Sequence, residues 1–465
     1  MDYNERKESF INDIIEDIES SNLSLFLGAG VSFGAGLPSW KMLLKDLAKR
    51  IHIDIEKQND YYQVAQYCEN HIAKNIRNDI RRKLRSSNYE SSIVKSILHL
   101  PVSSFWTTNF DEVLEKNIEM EFNVTPEIIY RDEDLIKTRE KYSKIVYKVN
   151  GHIEDQESWV LTKNDLEQYA YTHPALLTFL RRELIVNTFL FLGYSFTDTL
   201  VLSALKDIRR YLNNKITHYH YTIMEESNSD SFSHFIKNLE INYGIKTLII
   251  PKQDDAKNNE RSNVVNLIVK RIKNKQVFIS GSFRKISKDE ETFITQFSKH
   301  LTHNILERGN RICNAFGRGV GSRFIEYASE WLLNHNQPLD KKLILRTRPF
   351  HTQSNTNNIT FDYRKFLMRD SGIVVFICGQ DRNDNDRSHG VEQEFKVAKE
   401  LDLKIIPVGC TGGESKVIWN EIRQNISHYG YLEKYIDYLG NATDPLQLAN
   451  IVMQIIEEIQ EVELH

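Results

Sequence analysis

The stretch 23–40, LSLFLGAGVSFGAGLPSW, constrains the fold of this chain more than any other. A short, mostly apolar run of strand length passes directly into glycines at positions 28, 30, 34 and 36. A strand ending in such a loop places Gly28 and Gly30 at its carboxyl end, where open α/β sheets bind their ligands, and glycine lets backbone amides approach a phosphate with no Cβ in the way. The dinucleotide fingerprint G-x-G-x-x-G is not matched, because Val31, Ser32 and Phe33 separate Gly30 from Gly34. Nor does a second strand end in an acidic residue about 20 positions on, since Asp46 sits in the helix-like KMLLKDLAKRI. These departures argue against an ordinary dehydrogenase and leave open a tight strand-to-helix turn without a ligand.

The alternation continues along the chain. LSLFLGAG, VSSFWTTNF, SKIVYKVNG, TFLFLGYS, YHYTIM and IKTLIIP read as strands separated by helical stretches, which predicts a largely parallel α/β domain over residues 1–270. The polar stretch 251–263 reads as a surface connection. A second series, QVFISGS, NRICNAFGRGVGS, KLILRTRPF, SGIVVFICG and LKIIPVG, predicts another α/β domain over 275–465, with the polar stretches 351–360 and 379–390 as mobile loops. Two domains suit 465 residues, too many for one ordinary core.

No apolar run reaches membrane-spanning length and no leader precedes the first helix, so a soluble, cytoplasmic chain is expected. A net charge of −4 gives no general attraction to nucleic acid or to an anionic membrane. Cys68, Cys313, Cys378 and Cys410 are too scattered for a disulfide framework or a zinc-binding CxxC pair. His218 and His220 share a strand face, yet no third metal ligand accompanies them, so no metal is expected.

GAGVSFGAGLP resembles the G-A-G-x-S-x-x-x-G-x-P signature of sirtuins, TTNFDEVLE (107–115) is similar to their T-x-N-x-D segment, and FLGYSFTD (191–198) to a later G-x-S segment. The resemblance covers about residues 10–250. It implies a Rossmann-like domain that binds NAD⁺ as substrate through Gly28, Ala29, Gly30, Ser32, Phe33, Thr107, Gly193, Ser195 and Asp198 and breaks the nicotinamide–ribose bond. Protein-deacylating sirtuins carry a zinc module on paired CxxC motifs that this chain lacks. The pattern is closer to the bacterial sirtuin-type NAD hydrolases of phage defence, in which water receives the ribosyl group.

Cleavage of that bond moves positive charge onto the ribose while nicotinamide leaves neutral. The protein must hold the ribose and diphosphate and place an acceptor beside the ribose hydroxyls. Asn109 suits this, because an amide both donates and accepts. Asp111 can accept from a hydroxyl or support the cation, or serve only as a helix cap. Sirtuins place a histidine in an H-G pair where this chain has Asn150, which cannot take a proton near neutral pH. Three accounts stay open: an inactivating replacement, His152 taking over as base if the segment remains extended, or catalysis by positioning alone.

VFISGS followed by FGRGVGSRFIEYASEWL repeats the strand, glycine loop and helix arrangement. From about residue 275 onward the chain resembles SLOG domains, nucleotide sensors of Rossmann-like fold. In the Thoeris type of antiphage effector this architecture implies a sensor for a cyclic ADP-ribose-type signal made by a TIR-domain partner protein. The resemblance assigns that ligand to Gly281, Ser282, Gly317, Gly319, Gly321, Ser322, Arg369 and Glu394; surface ion pairing is the other reading of the last two. It further implies a homo-oligomer, a tetramer or larger, that depletes NAD⁺ once activated. The rival readings are a catalytically impaired nucleotide-binding scaffold and a sirtuin-type ADP-ribosyltransferase or deacylase.

Overall fold

The computed structural model describes residues 2–20, 22–72, 75–85, 88–136, 144–196, 199–213, 218–252, 260–283, 286–346, 357–380 and 388–462. Asp198 and the stretches 351–356 and 381–387, all singled out in the sequence, lie outside them. The chain divides into two compact units, Met1–Ile268 and Val269–His465.

In the first unit the six apolar runs form strands β1 (Asn22–Leu27), β2 (Val102–Thr107), β4 (Ile145–Lys148), β5 (Asn187–Leu192), β6 (His220–Glu225) and β7 (Ile245–Ile250). A three-residue strand, β3 (Glu127–Ile129), is added at one edge; it is too short to show a period in the sequence. The order is β3-β4-β2-β1-β5-β6-β7, and the paired strands are parallel, so their carboxyl ends share one edge of the sheet. Leu27 faces Thr107 on one side of β1 and Leu192 on the other, which makes the end of β1 the crevice where such sheets bind ligands. β5 is buried throughout, as a continuous apolar run in a central parallel strand should be.

Residues 29–101, between β1 and β2, carry the helices Trp40–Arg50, Tyr61–His71, Ile76–Leu84 and Ser92–Ile97. Leu43, Leu44, Leu47, Val64, Ile76 and Ile80 build a separate core there with Phe110, Ile153 and Trp159. Ser39 Oγ accepts from the Met42 N–H at 3.2 Å and Asp60 Oδ1 from the Gln63 N–H at 3.1 Å, so both longer helices begin on a side-chain cap. Cys68 lies in this core, where burial pushes its thiol up to about 11 and keeps it unreactive.

The second unit has a five-stranded parallel sheet in the order β10-β9-β8-β11-β12, from β8 (Gln276–Ser282), β9 (Arg311–Asn314), β10 (Leu343–Leu345), β11 (Ile373–Cys378) and β12 (Lys404–Val408). The helix Lys288–Glu307, opened by a capping box of Ser287 and Glu290, packs along Pro445–Val462. Phe297, Leu301, Ile305, Leu448, Val452 and Ile455 are fully buried in the resulting core. Both units are α/β with parallel, Rossmann-like sheets.

Candidate functional site

A cavity of ≈ 500 Å³ opens at the carboxyl ends of β1, β2, β5 and β6. Gly28, Ala29 and Gly30 from the turn after β1 meet Gly193, Tyr194 and Ser195 from the turn after β5. At one end stand Trp40, Tyr62 and Thr108; at the other, Ile223, Met224, Glu225 and Arg261. Ser39 and Asp60 also line it, so two eleven-residue helices start at the cavity with the positive ends of their dipoles.

The glycines are packed backbone against backbone. The Gly28 N–H donates to Leu192 O at 2.9 Å and the Gly30 N–H to Gly193 O at 3.0 Å. Gly193 holds φ +64°, and a Cβ on it would stand 2.7 Å from Val31 N. The glycine pattern is therefore demanded first by the crossing of two turns, and the Gly28 and Gly30 amides are already engaged. Phe33, 52% exposed, lines the same cavity from the seven-residue 3-10 segment Ala29–Ala35.

Behind this turn lies a buried polar chain. Asn109 Nδ2 donates to Gly28 O at 3.1 Å and to Ser32 Oγ at 3.1 Å, and Ser32 Oγ donates to Asp111 Oδ2 at 3.1 Å. Gly28 O can only accept, so the amide orientation of Asn109 is fixed and its Oδ1 is the atom left to accept from a substrate hydroxyl or a water. Thr107 Oγ1 donates to Leu27 O at 2.8 Å and accepts from the Asn109 N–H at 3.0 Å, which shapes the turn carrying Asn109.

Neither Asn109 nor Asp111 is among the residues that line the cavity. Asp111 accepts from the Val113 N–H at 3.0 Å, as a helix cap, and burial raises its pKa against the pull of nearby Lys148. Lys148 is fully buried, donates to Asp111 O and pairs with Glu115 at 2.6 Å. Asn150 is buried and its Nδ2 donates to the hydroxyl of Tyr62 at 3.0 Å, so it touches the cavity through that ring.

The segment after Asn150 does not remain extended: the Gly151 N–H folds back to Lys148 O at 3.1 Å and Gly151 takes φ +98°. His152 consequently turns to stack on Tyr130, with centroids 5.5 Å apart. Burial, with the Lys148 charge, pushes its imidazole down to about 4, and its Nε2 is buried without a partner among the described residues. It is neutral, but it does not line the cavity.

His218 and His220 are committed to the backbone. His218 Nε2 binds Asn187 O at 2.8 Å and His220 Nδ1 accepts from the Phe189 N–H at 3.2 Å. Among the described residues no group of three or more His, Cys, Asp or Glu is placed to hold a metal ion. No described helix is long and apolar enough to cross a membrane.

The second unit repeats the glycine crossing. A Cβ on Gly281 would run into Ile377 O and one on Gly317 into Gly281 O, while Gly319 takes φ +77°. The Gly321 N–H closes the loop on Gly317 O at 2.7 Å, and Ser322 Oγ donates to Gly319 O at 3.2 Å. Ser282 Oγ reaches Ser388 Oγ at 3.3 Å, and Ser280 Oγ donates to Glu394 Oε2 at 2.6 Å. These groups gather where β8 and β11 end. Arg369 lies apart, four residues before β11 begins, with its guanidinium over Phe366 at 4.6 Å and beside Asp370 at 3.9 Å. Arg364, 4% exposed, is brought nearer the end of β11, its Nη2 3.9 Å from where a Cβ on Gly390 would stand, and Arg323 stands at the end of β8, donating to Gly319 O at 2.8 Å.

Residues 260–459 match the Sir2- and TIR-associating SLOG family and residues 103–247 match the SIR2-like domain. The NAD(+) hydrolase ThsA of Bacillus cereus (strain MSX-D12) is 30% identical, over 99% of this chain and 99% of the relative. The chain belongs to the ThsA family. The NAD(+) hydrolase ThsA of Acinetobacter baumannii (strain 532279) is 29% identical over 98% and 100% of the two chains, and that of Enterococcus faecium 30% identical over 91% and 92%.

For this ThsA-family chain the SIR2-like match includes Asn109, Asn150 and Gly193, and the cavity adds Trp40, Tyr62, Glu225 and Arg261, which the sequence did not single out. Glu225 is an acidic residue at a strand end that lines the cavity, at β6, nearly two hundred residues after β1. An apolar alternation ending in an acid was the available signal, in HYTIME. Arg364 carried no signal, because an arginine within a helical period reads as a solvated face.

Proposed function

We propose that the chain hydrolyses NAD⁺ to ADP-ribose and nicotinamide in its first unit and that the second unit senses a cyclic ADP-ribose-type nucleotide that switches this activity on. The observation that carries the reading is the Asn109 amide, fixed by its bonds to Gly28 O and Ser32 Oγ behind a glycine that lines the cavity, which leaves Oδ1 as the acceptor. The C1′–N1 bond breaks with its electron pair passing to the nicotinamide nitrogen. Water bonds C1′ and its proton leaves to solvent. Asn109 orients the ribose or that water, the helix start at Ser39 favours the diphosphate, and the aromatic walls restrict water.

The chain's own chemistry supports positioning over base catalysis, since Asn150 cannot accept a proton and His152 stands outside the cavity. Family membership supports the NAD⁺ substrate; a role in antiphage defence by NAD⁺ depletion, a TIR-domain partner that supplies the signal and a tetrameric or larger assembly complete the proposal. The domains would divide near 270–275, each with its own nucleotide site.

Incubating the pure full chain with NAD⁺, with and without cyclic ADP-ribose isomers, tests this. Nicotinamide and ADP-ribose should appear in equal amounts and faster with the signal. Asn150 favours a second reading, a nucleotide-binding scaffold without turnover. Asn150→His separates the two: a rise on the order of 10²–10⁴ marks a site complete but for its base, and no nicotinamide from either protein, despite NAD⁺ binding, marks the scaffold.

A further inference from the structure

We propose that Glu225 and Arg261 set which dinucleotide the cavity accepts, by reading the 2′ position of the adenosine ribose and refusing a phosphate there. The inference rests on the NAD⁺ reading above and extends it to specificity.

If the scissile ribose sits by Asn109, beyond β2, the rest of the dinucleotide must cross the glycine turns of β1 and β5. From β2 to β6 is three strand spacings, about 14 Å, and that path ends on Ile223 and Met224, an apolar bed for a base, beside Glu225 and Arg261. Arg261 Nη2 donates to Glu225 Oε1 at 3.3 Å. The carboxylate is the more exposed of the two, 41% against 16%, so an incoming ribose meets the acid before the guanidinium.

A carboxylate at this place accepts from a ribose hydroxyl, whereas an arginine accommodates a 2′-phosphate. Here the acid occupies the guanidinium, and a 2′-phosphate would bring about −1.5 to −2 charges against it. Arg261 Nε is buried with no partner among the described residues, so the guanidinium keeps donor capacity that the acid does not use. Neutralising Glu225 should therefore convert a refusing site into an accepting one.

The test uses the full chain, calorimetry with NAD⁺ and NADP⁺, and nicotinamide release from each. The parent should prefer NAD⁺. Glu225→Gln, which keeps shape and removes charge, should raise NADP⁺ affinity about 10- to 100-fold while NAD⁺ affinity falls only a few-fold. Adding Arg261→Gln should cancel the gain. Since binding is the readout, the slow chemistry of an Asn150 site does not obscure it. An unchanged NAD⁺/NADP⁺ ratio in Glu225→Gln, or a gain that persists in the double variant, overturns the inference alone. A parent that binds neither dinucleotide overturns the NAD⁺ reading and the inference with it.

Discussion

Gly30 and Gly193 touch through their backbones: the Gly30 N–H donates to Gly193 O at 3.0 Å, and a Cβ on Gly30 would stand 2.7 Å from Gly193 Cα. The turns after β1 and β5 are thus one unit, and either glycine can be lost only by parting them. Gly193→Ala adds a methyl group at φ +64° against Val31 N. It should cost about 1–3 kcal/mol, read as a lower thermal midpoint, and should weaken NAD⁺ binding, read by calorimetry. Unaltered stability and affinity would mean that the turns are not so constrained.

The same contact shows how much was legible. The apolar runs marked their strands because buried parallel strands need continuous apolar sequence, and β3 escaped because three residues carry no period. The glycines announced a special turn, but whether a Cβ is excluded by a ligand or by Gly193, some 160 residues away, is not a local property. His152 was assigned to the Asn150 side on an extended segment, and a single φ of +98° at Gly151 redirected it. Arg369 and Arg364 stand on neighbouring turns of sequence, and only the packing against β11 and Gly390 decides which of them reaches the strand ends.

Asn109→Ala should remove the acceptor and leave the glycine turn without its Gly28 O and Ser32 ties. Nicotinamide release should drop by a factor on the order of 10²–10³, with NAD⁺ affinity falling much less. If Asn150→His raises the rate, that variant serves as the parent for this comparison. Equal losses in rate and affinity would make Asn109 a binding residue, and full activity would remove it from the mechanism.

His220 is fully buried, and burial pushes its imidazole down to about 3 from an ordinary 6.5. Below pH 6.5 the unfolded chain takes up a proton that the folded chain refuses until about pH 3, so stability must fall as pH drops through that window. Between pH 7 and pH 5 the first unit should lose about 1–2 kcal/mol from this group. His152, held down to about 4, acts in the same direction. Urea midpoints at the two pH values measure the loss, and His220→Gln should flatten the dependence. An equally steep fall in His220→Gln would assign it to other groups.

The last prediction separates two arginines. Activation by a nucleotide requires that it bind the active and inactive states with different affinity. In the second unit the groups suited to a ribose and a diphosphate gather at the ends of β8 and β11: Ser282 with Ser388, Glu394 with Ser280, and the crossed glycines 281 and 317. Arg364 is brought to Gly390 in that cluster, whereas Arg369 is held over Phe366 and beside Asp370 before β11 starts. A charge-assisted contact to a diphosphate contributes about 1.5–3 kcal/mol, roughly a factor of ten to a hundred in affinity. Arg364→Ala should therefore require that much more cyclic ADP-ribose-type nucleotide for half-maximal nicotinamide release, with NAD⁺ affinity in its absence unchanged. Arg369→Ala should shift the requirement little. Calorimetry on both full-length variants measures the binding half directly. The opposite ranking would return the phosphate contact to Arg369, and binding of no such nucleotide by the parent would discard the sensor.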